Sequence, residues 1–228
     1  MRLLAIGDIH GCLAPLDDLL AWVNPTAEDR LVTLGDYVDR GPDTRGVLDR
    51  LIELKRRLDL VCLRGNHEIM MLDAYRGGRA EKKMWLGVGG VQALGSYGTG
   101  TGRTGSLEDV PAAHWEFLEH GLVNYHETQQ FIFTHATVVP DLPLDEQPDE
   151  ALFWEFLPDA MRHRSGKLVV CGHSSQRSGE PKVIPGAVCI DTNIYGGGWL
   201  TCLEAATGRY WQTDLLGRRR EGRLDYAQ

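Results

Sequence analysis

The chain has 228 residues, a charged fraction of 25% and a formal net charge of −8. That acidic balance argues against a nucleic-acid or anionic-membrane partner, both of which want basic patches. No apolar run is long enough to span a bilayer, and the apolar start is too short for a signal peptide.

In chain order, Leu3–Ile6 is a continuous apolar run, the pattern of a strand buried on both faces, and it ends in Gly7-Asp8-Ile9-His10-Gly11. Leu13, Leu16, Leu19, Leu20 and Val23 then follow helical spacing, with Asn24-Pro25 as the stop. Residues 31–34 predict a second strand, delivering Gly35-Asp36-Tyr37-Val38-Asp39-Arg40-Gly41. A helix is expected over 44–58, with Asp43 as its N-cap. Residues 60–63 predict a third strand, before Arg64-Gly65-Asn66-His67-Glu68. This alternation implies parallel strands joined by helical crossovers.

The middle is less regular. Between Arg76 and Arg103, Gly77-Gly78, Gly89-Gly90 and Gly98-Thr99-Gly100-Thr101-Gly102 predict turns and loops around one helix at 80–86. A short helix holds residues 115–118. A strand over 130–133 ends in Thr134-His135-Ala136, and a helix is expected over 150–157. Leu168–Cys171 is a strand that ends in Gly172-His173-Ser174. Residues 188–191, Leu200–Glu204 and residues 210–213 predict strands joined as hairpins. No linker divides the chain, so one catalytic domain is expected over 1–215. Residues 216–228 are then a tail, in which Arg218, Arg219, Arg220 and Arg223 form a solvated basic terminus. The five cysteines have no Cys-x-x-Cys spacing. They read as buried thiols of a reducing compartment, the cytoplasm.

Five apolar strands thus end in Asp8 with His10, Asp36, Asn66, His135 and His173. Ligands of open α/β sheets bind outside the carboxyl ends of strands, so these loops can converge on one crevice. Oxygen and imidazole donors without a thiolate suit Mn²⁺, Fe or Zn²⁺. Six donors are too many for one ion that also holds water, whereas two ions sharing Asp36, central in the motif order, fit. Such a pair, at about 3.5–4 Å, clamps the attacking and leaving oxygens of phosphoryl transfer. Carboxylates beside the Arg40 guanidinium suit cations and a phosphate together.

These motifs, in this order, resemble the signature set of the calcineurin-like metallophosphoesterases. Within them they are similar to the phosphoprotein phosphatase family, especially its small phage and bacterial serine/threonine phosphatases. The resemblance implies an α/β fold of two mixed β-sheets packed face to face with helices outside, an α/β/β/α sandwich. It implies two divalent metal ions, manganese first and iron or zinc next. Asp8, His10 and Asp36 would hold one ion, and Asp36, Asn66, His135 and His173 the other. Arg40 would bind the phosphate, and His67 would protonate the leaving oxygen, oriented by Asp39. Tyr195 would overhang the site, because a tyrosine occupies a similar late loop in the family. Glu68 braces the site, and Trp85 is read as core or cleft wall. His114, His120, His126 and His163 match no motif and are read as surface residues.

The expected activity is a metal-dependent phosphomonoesterase acting on a phosphorylated protein, at phosphoserine or phosphothreonine, or on a small phosphoester. The alternatives are a symmetrical dinucleoside-tetraphosphate hydrolase or a broad-specificity phosphatase. The tetraphosphate branch usually carries Asn where this chain has Asp39, which favours the protein-phosphatase branch. One family position departs: Phe156 stands where a second phosphate-binding arginine is usual. Arg162, Arg164 and Arg177 are the candidates to replace it.

Overall fold

Residues 1–98 and 104–226 are described in a computed structural model. The first apolar runs form parallel strands β1 (Leu3–Ile6), β2 (Arg30–Thr33) and β3 (Asp59–Cys62), crossed over by α1 (Leu13–Val23) and α2 (Thr44–Lys55). α1 stops where Asn24 turns left-handed and its N–H caps the Leu20 carbonyl. α2 starts on the Asp43 carboxylate, which accepts from the Gly46 N–H at 2.8 Å. It ends at Lys55, three residues short of the expected 58, because the chain must turn before β3 pairs with β2.

Residues 76–96, expected to be turns and loops around one helix at 80–86, are mostly helical, and a helix precedes them. α3 (Asn66–Arg76), α4 (Arg79–Trp85), a π turn (Leu86–Gly90) and α5 (Val91–Ser96) follow one another. Gly77 ends α3, and Gly89, with a non-helical φ of +132°, kinks the run between α4 and α5. The expected Gly98–Gly102 turn falls largely outside the described residues. α6 (Ala112–His120) extends the predicted short helix in both directions.

The second sheet has β4 (Tyr125–Glu127), β5 (Phe131–Thr134), β6 (Leu168–Cys171), β7 (Lys182–Ile184) and β8 (Ala187–Cys189), in the order β4-β5-β6-β8-β7. α7 (Asp149–Phe153) precedes β6 and is shorter than the expected 150–157. Its end is fixed where the Trp154 carbonyl turns to His173 Nε2, at 3.2 Å. β9 (Leu200–Glu204), β10 (Arg209–Thr213) and β11 (Arg219–Arg223) return to the first sheet, whose order is β11-β10-β9-β1-β2-β3. The predicted hairpin between 188–191 and Leu200–Glu204 therefore does not form, because β8 and β9 belong to different sheets. Nor is the basic terminus merely solvated: Arg219–Arg223 pairs along β10, and Arg219 and Arg220 meet Asp18 and Glu180.

Alternation along the strands explains the layers. Ala5, Val32, Phe131, Phe133, Val170 and Val188 face one another between the sheets. Leu4 and Ile6 point the other way, onto Leu16, Leu19, Leu48 and Leu51 of the first helices. Ile132, Val169 and Cys171 meet Leu152 and Phe153 of α7. Two mixed sheets, face to face with helices outside, are the α/β architecture expected. The cysteines are all free and buried. His114 and His163, expected at the surface, are buried too; each ring nitrogen has a partner, such as Asp49 for His114 and the Leu142 carbonyl for His163. No helix among the described residues is long and apolar enough to cross a membrane.

Candidate active site

The loops that leave β1, β2, β3, β5 and β6 meet at one end of the two sheets. Their backbones are unusual. His10, Asp36, Asp39, Arg40 and His173 all have positive φ, between 46° and 71°, a conformation that costs a non-glycine residue about 1–3 kcal/mol unless its surroundings impose it. Here they do. The Asp36 carbonyl accepts from the N–H groups of Ile9 and His10, at 3.0 and 2.8 Å. The Glu68 carboxylate accepts from Asp36, Tyr37, Val38 and Gly65 N–H groups at 2.7–3.2 Å. Glu68 is thus the brace of the second loop, and burial followed by the Asp36 charge pushes it up to about 7. Gly65 and Gly172 are dictated by close approach: a Cβ on either would stand 2.2 or 2.1 Å from a carboxylate oxygen of Asp36 or Asp8.

Asp36 is the centre of the arrangement. Its Oδ2 lies 3.5 Å from His10 Nε2 and 3.9 Å from His67 Nε2, and its Oδ1 lies 3.5 Å from His135 Nε2. Donor atoms of His10, Asp36 and His67 all fall within 4.8 Å of one another, as do those of Asp36, His135 and His173. The Asn66 amide sits 3.1 Å from His135 Nε2. The tautomers are set from behind: His10 Nδ1–H donates to the Val38 carbonyl and His135 Nδ1–H to the Leu34 carbonyl. Their Nε2 atoms carry the lone pairs: that of His10 accepts from the Arg40 guanidinium at 3.0 Å, and both lie 3.5 Å from an Asp36 oxygen. Asp8 is drawn in differently from the other donors. Its carboxylate accepts the His173 backbone N–H at 3.0 Å, and it belongs to neither close cluster.

The electrostatics favour a bound cation. Asp8 is pushed well up by burial, then by the charges of Asp191 and Asp36. Asp191, a carboxylate not predicted from the sequence, is raised to about 6, chiefly by burial. Burial also opposes charge on Asp36, but the imidazoles of His135, His67, His10 and His173 outweigh it and hold its pKa low. Burial lowers His10 to about 3 and His173 to about 4, so both rings are neutral at neutral pH, as imidazole donors to a metal must be. Neutral imidazoles packed around buried carboxylates are the donor set of a divalent metal centre.

His67 points elsewhere with its other nitrogen. Its Nδ1–H donates to Asp39 Oδ2 at 2.7 Å. Burial works against its protonated form, but Asp36 and Asp39 prevail and its pKa is raised. A cavity of about 550 Å³ opens beside these groups. Arg40 and Tyr195 both line it, with the Arg40 guanidinium 4.4 Å over the Tyr195 ring. Phe156 forms an exposed wall and stacks on His173 at 5.3 Å. Of the three candidate arginines, only Arg177 lines this cavity, together with Lys182. Arg162 lines a separate cavity, and Arg164 donates to the Asp141 carbonyl. Asp191 ends an apolar run just as Asp8 and Asp36 do, a signal hidden by the hairpin expected there. Lys182 had no signal.

Residues 1–196 match the family model for calcineurin-like phosphoesterases, and the chain belongs to that family. Membership implies divalent metal ions. Over 148 residues the chain is 42% identical to a symmetrical bis(5'-nucleosyl)-tetraphosphatase of Pseudomonas putida (strain GB-1), a match covering 64% of this chain and 46% of that protein. It is 31% identical, also over 148 residues, to the enzyme of the same name from Cellvibrio japonicus (strain Ueda107), covering 64% and 48%. The chain spans about half the length of the curated relatives it matches. Its fold is similar to the solved cold-active protein-tyrosine phosphatase of a psychrophilic Shewanella species. There the TM-score is 0.64 at 17% identity, over 96% of this chain and 80% of that one. At that identity the likeness is one of fold alone.

Proposed function

We propose that this protein is a metal-dependent hydrolase of symmetrical dinucleoside tetraphosphates. The observation that carries this reading is the composition of the cavity: exposed Phe156 with Trp154 and Tyr195, and the cations Arg40, Arg177 and Lys182, around a buried acid–imidazole centre. Aromatic faces take nucleobases and the cations take a polyphosphate chain. The names of the relatives support the same substrate class rather than a phosphoprotein.

Asp8, His10 and Asp36 would hold one ion, and Asp36, Asn66, His135 and His173 a second; oxygen and imidazole donors suit Mn²⁺, Fe or Zn²⁺, with availability choosing among them. When bound, the ions supply Lewis acidity, lowering the pKa of water and neutralising charge on phosphoryl oxygens. Arg40 orients the phosphate under attack, with Arg177 or Lys182 in place of the arginine that Phe156 displaces. His67 donates a proton to the leaving oxygen from Nε2, while Asp39 holds Nδ1. The free, buried thiols fit a reducing compartment, the cytoplasm.

One observation favours a second reading, a phosphoserine or phosphothreonine phosphatase. The Asp39–His67 pair is complete, and a leaving alkoxide needs an acid far more than a leaving nucleoside diphosphate does. Steady-state kinetics with Mn²⁺ on diadenosine tetraphosphate and on a phosphoserine peptide separate the two. The expected result is the higher kcat/KM on the dinucleotide, with ADP as the sole nucleotide product. A preference for the peptide, or release of ATP and AMP, overturns the first reading.

A further inference from the structure

The Asp39–His67 pair has a third member. Trp85, at the end of α4, is fully buried, and its indole N–H donates to both Asp39 oxygens, at 2.9 Å to Oδ1 and 3.0 Å to Oδ2. Asp39 is itself fully buried, away from bulk solvent. Its carboxylate plane is defined by two side chains: His67 on Oδ2 and Trp85 across both oxygens. The same helical run makes a second contact with this loop. Gly89, in the π turn that follows α4, accepts the Arg40 N–H at 3.2 Å. Its φ is +132°, and a Cβ there would lie 2.6 Å from Arg40 N, so the run approaches Asp39 and Arg40 as closely as backbone allows. Gly90 in turn lies flat against the Trp85 ring, where a Cβ would come within 2.5 Å. The ring therefore cannot tilt away from Asp39 without disturbing the turn that holds Arg40.

We propose that Trp85 is a positioning residue of the leaving-group acid, its indole N–H fixing the Asp39 carboxylate so that His67 Nε2 stays aimed at the departing oxygen. This rests on His67 being that acid. A buried carboxylate with one partner can swing about its χ2 angle, and the imidazole it holds would swing with it. A second partner straddling both oxygens removes that freedom. Because the contact acts on proton delivery and not on substrate capture, its loss falls on kcat and grows with the basicity of the leaving group.

The experiment compares Trp85→Phe, Trp85→Tyr, His67→Asn and the double variant Trp85→Phe/His67→Asn, all loaded with Mn²⁺. The substrates are p-nitrophenyl phosphate, a good leaving group, and a phosphoserine peptide, a poor one. Metal content and melting temperature are measured alongside. Loss of a hydrogen bond to a buried carboxylate predicts a fall in kcat of about 10- to 100-fold on the peptide. The fall on the aryl ester should be at least several-fold smaller, with KM and bound metal near wild type. In the His67→Asn background, Trp85→Phe should cost nothing further on the peptide. Equal losses on both esters in both Trp85 variants, reduced metal content, or losses that multiply in the double variant would make Trp85 a packing residue and overturn the assignment. If His67→Asn itself lowers both esters equally, the acid reading fails, and the Trp85 assignment with it. If His67→Asn is selective and the Trp85 variants are not, only the Trp85 assignment fails.

Discussion

Asp36 faces imidazoles on both of its oxygens: His10 and His67 on Oδ2, His135 on Oδ1. Among the described residues, Asp36 alone belongs to both donor clusters. Replacing it with Asn keeps the shape but removes the charge both clusters share, so Asp36→Asn should weaken metal binding more than His10→Ala or His173→Ala does. Loss of a ligand should exceed the 10- to 100-fold typical of residues that merely support ligands, by roughly another order of magnitude. Metal content after gel filtration and titration of activity with Mn²⁺ check this; an Asp36→Asn protein that keeps both metal and turnover would remove Asp36 from the centre. Such residues were legible in the sequence for a simple physical reason. A buried apolar strand that stops at Asp, Asn or His places a polar group where no water reaches, which is costly unless something binds there. Asp8, Asp36, Asn66, His135 and His173 all carry that mark. Trp85 carries none, because its meaning lies in Asp39, 46 residues away. Asp8 shows the opposite difficulty. The sequence marks it clearly, yet its carboxylate is turned to the His173 backbone.

The elements were legible where burial alone decides them and obscured where glycine has two uses. β6 and β9 begin and end where their apolar runs do. The helical run from Asn66 to Ser96 was hidden because Gly77-Gly78 and Gly89-Gly90 look like breakers. In the fold, Gly89 does break the helix, at a kink with φ +132°, and Gly89 and Gly90 also permit close approach to Arg40 and Trp85. How the first elements are tied together is testable. Asp29, just before β2, accepts from the Arg2 backbone N–H at 2.8 Å, from its guanidinium at 2.6 and 3.2 Å, and from the Thr26 N–H at 3.0 Å. Arg2 also reaches the Val23 and Asn24 carbonyls at the end of α1. One carboxylate therefore joins the start of β1, the exit from α1 and the entry to β2. Asp29→Asn should cost about 2 kcal/mol, as expected for charge-assisted hydrogen bonds with a partly exposed partner. The guanidinium of Arg2 holds the Asp29 pKa below its ordinary 3.8. Its stabilisation is therefore full above that ordinary value and drains away as pH falls through the lowered one. Thermal melts should show the gap between wild type and Asp29→Asn at about pH 7 and a narrower gap at about pH 3. A gap that widens in acid would contradict the sign.

The whole molecule is two sheets that share one apolar layer and one polar end. Ala5, Val32 and Leu203 of the first sheet meet Phe133, Val170 and Val188 of the second in the shared layer. At the polar end, loops of the first sheet bring Asp8, His10, Asp36 and Asn66, and loops of the second bring His135, His173 and Asp191. The carboxylates there are buried close enough that Asp191 and Asp36 both raise Asp8. Asp8 from the first sheet and Asp191 from the second would repel each other when both are charged, and cations held between them would relieve that repulsion. On the proposed reading, metal binding would be a bond between the two layers as well as a requirement for turnover. Ions at about 1,000 times their dissociation constant stabilise a folded protein by about 4 kcal/mol. For a chain of this size each kcal/mol moves the melting temperature by about 2–4 °C, so the expected rise is about 8–16 °C. Melts of chelator-treated protein, with and without added Mn²⁺, measure that rise. Asp36→Asn should abolish most of it, because Asp36 serves both clusters. His10→Ala should remove only part, because its imidazole serves one. If the chelated and Mn²⁺-loaded proteins melt together, the apolar layer alone holds the sheets and the acid–imidazole end is not a metal centre. If His10→Ala removes the whole rise while Asp36→Asn leaves it, the two clusters do not share the carboxylate between them.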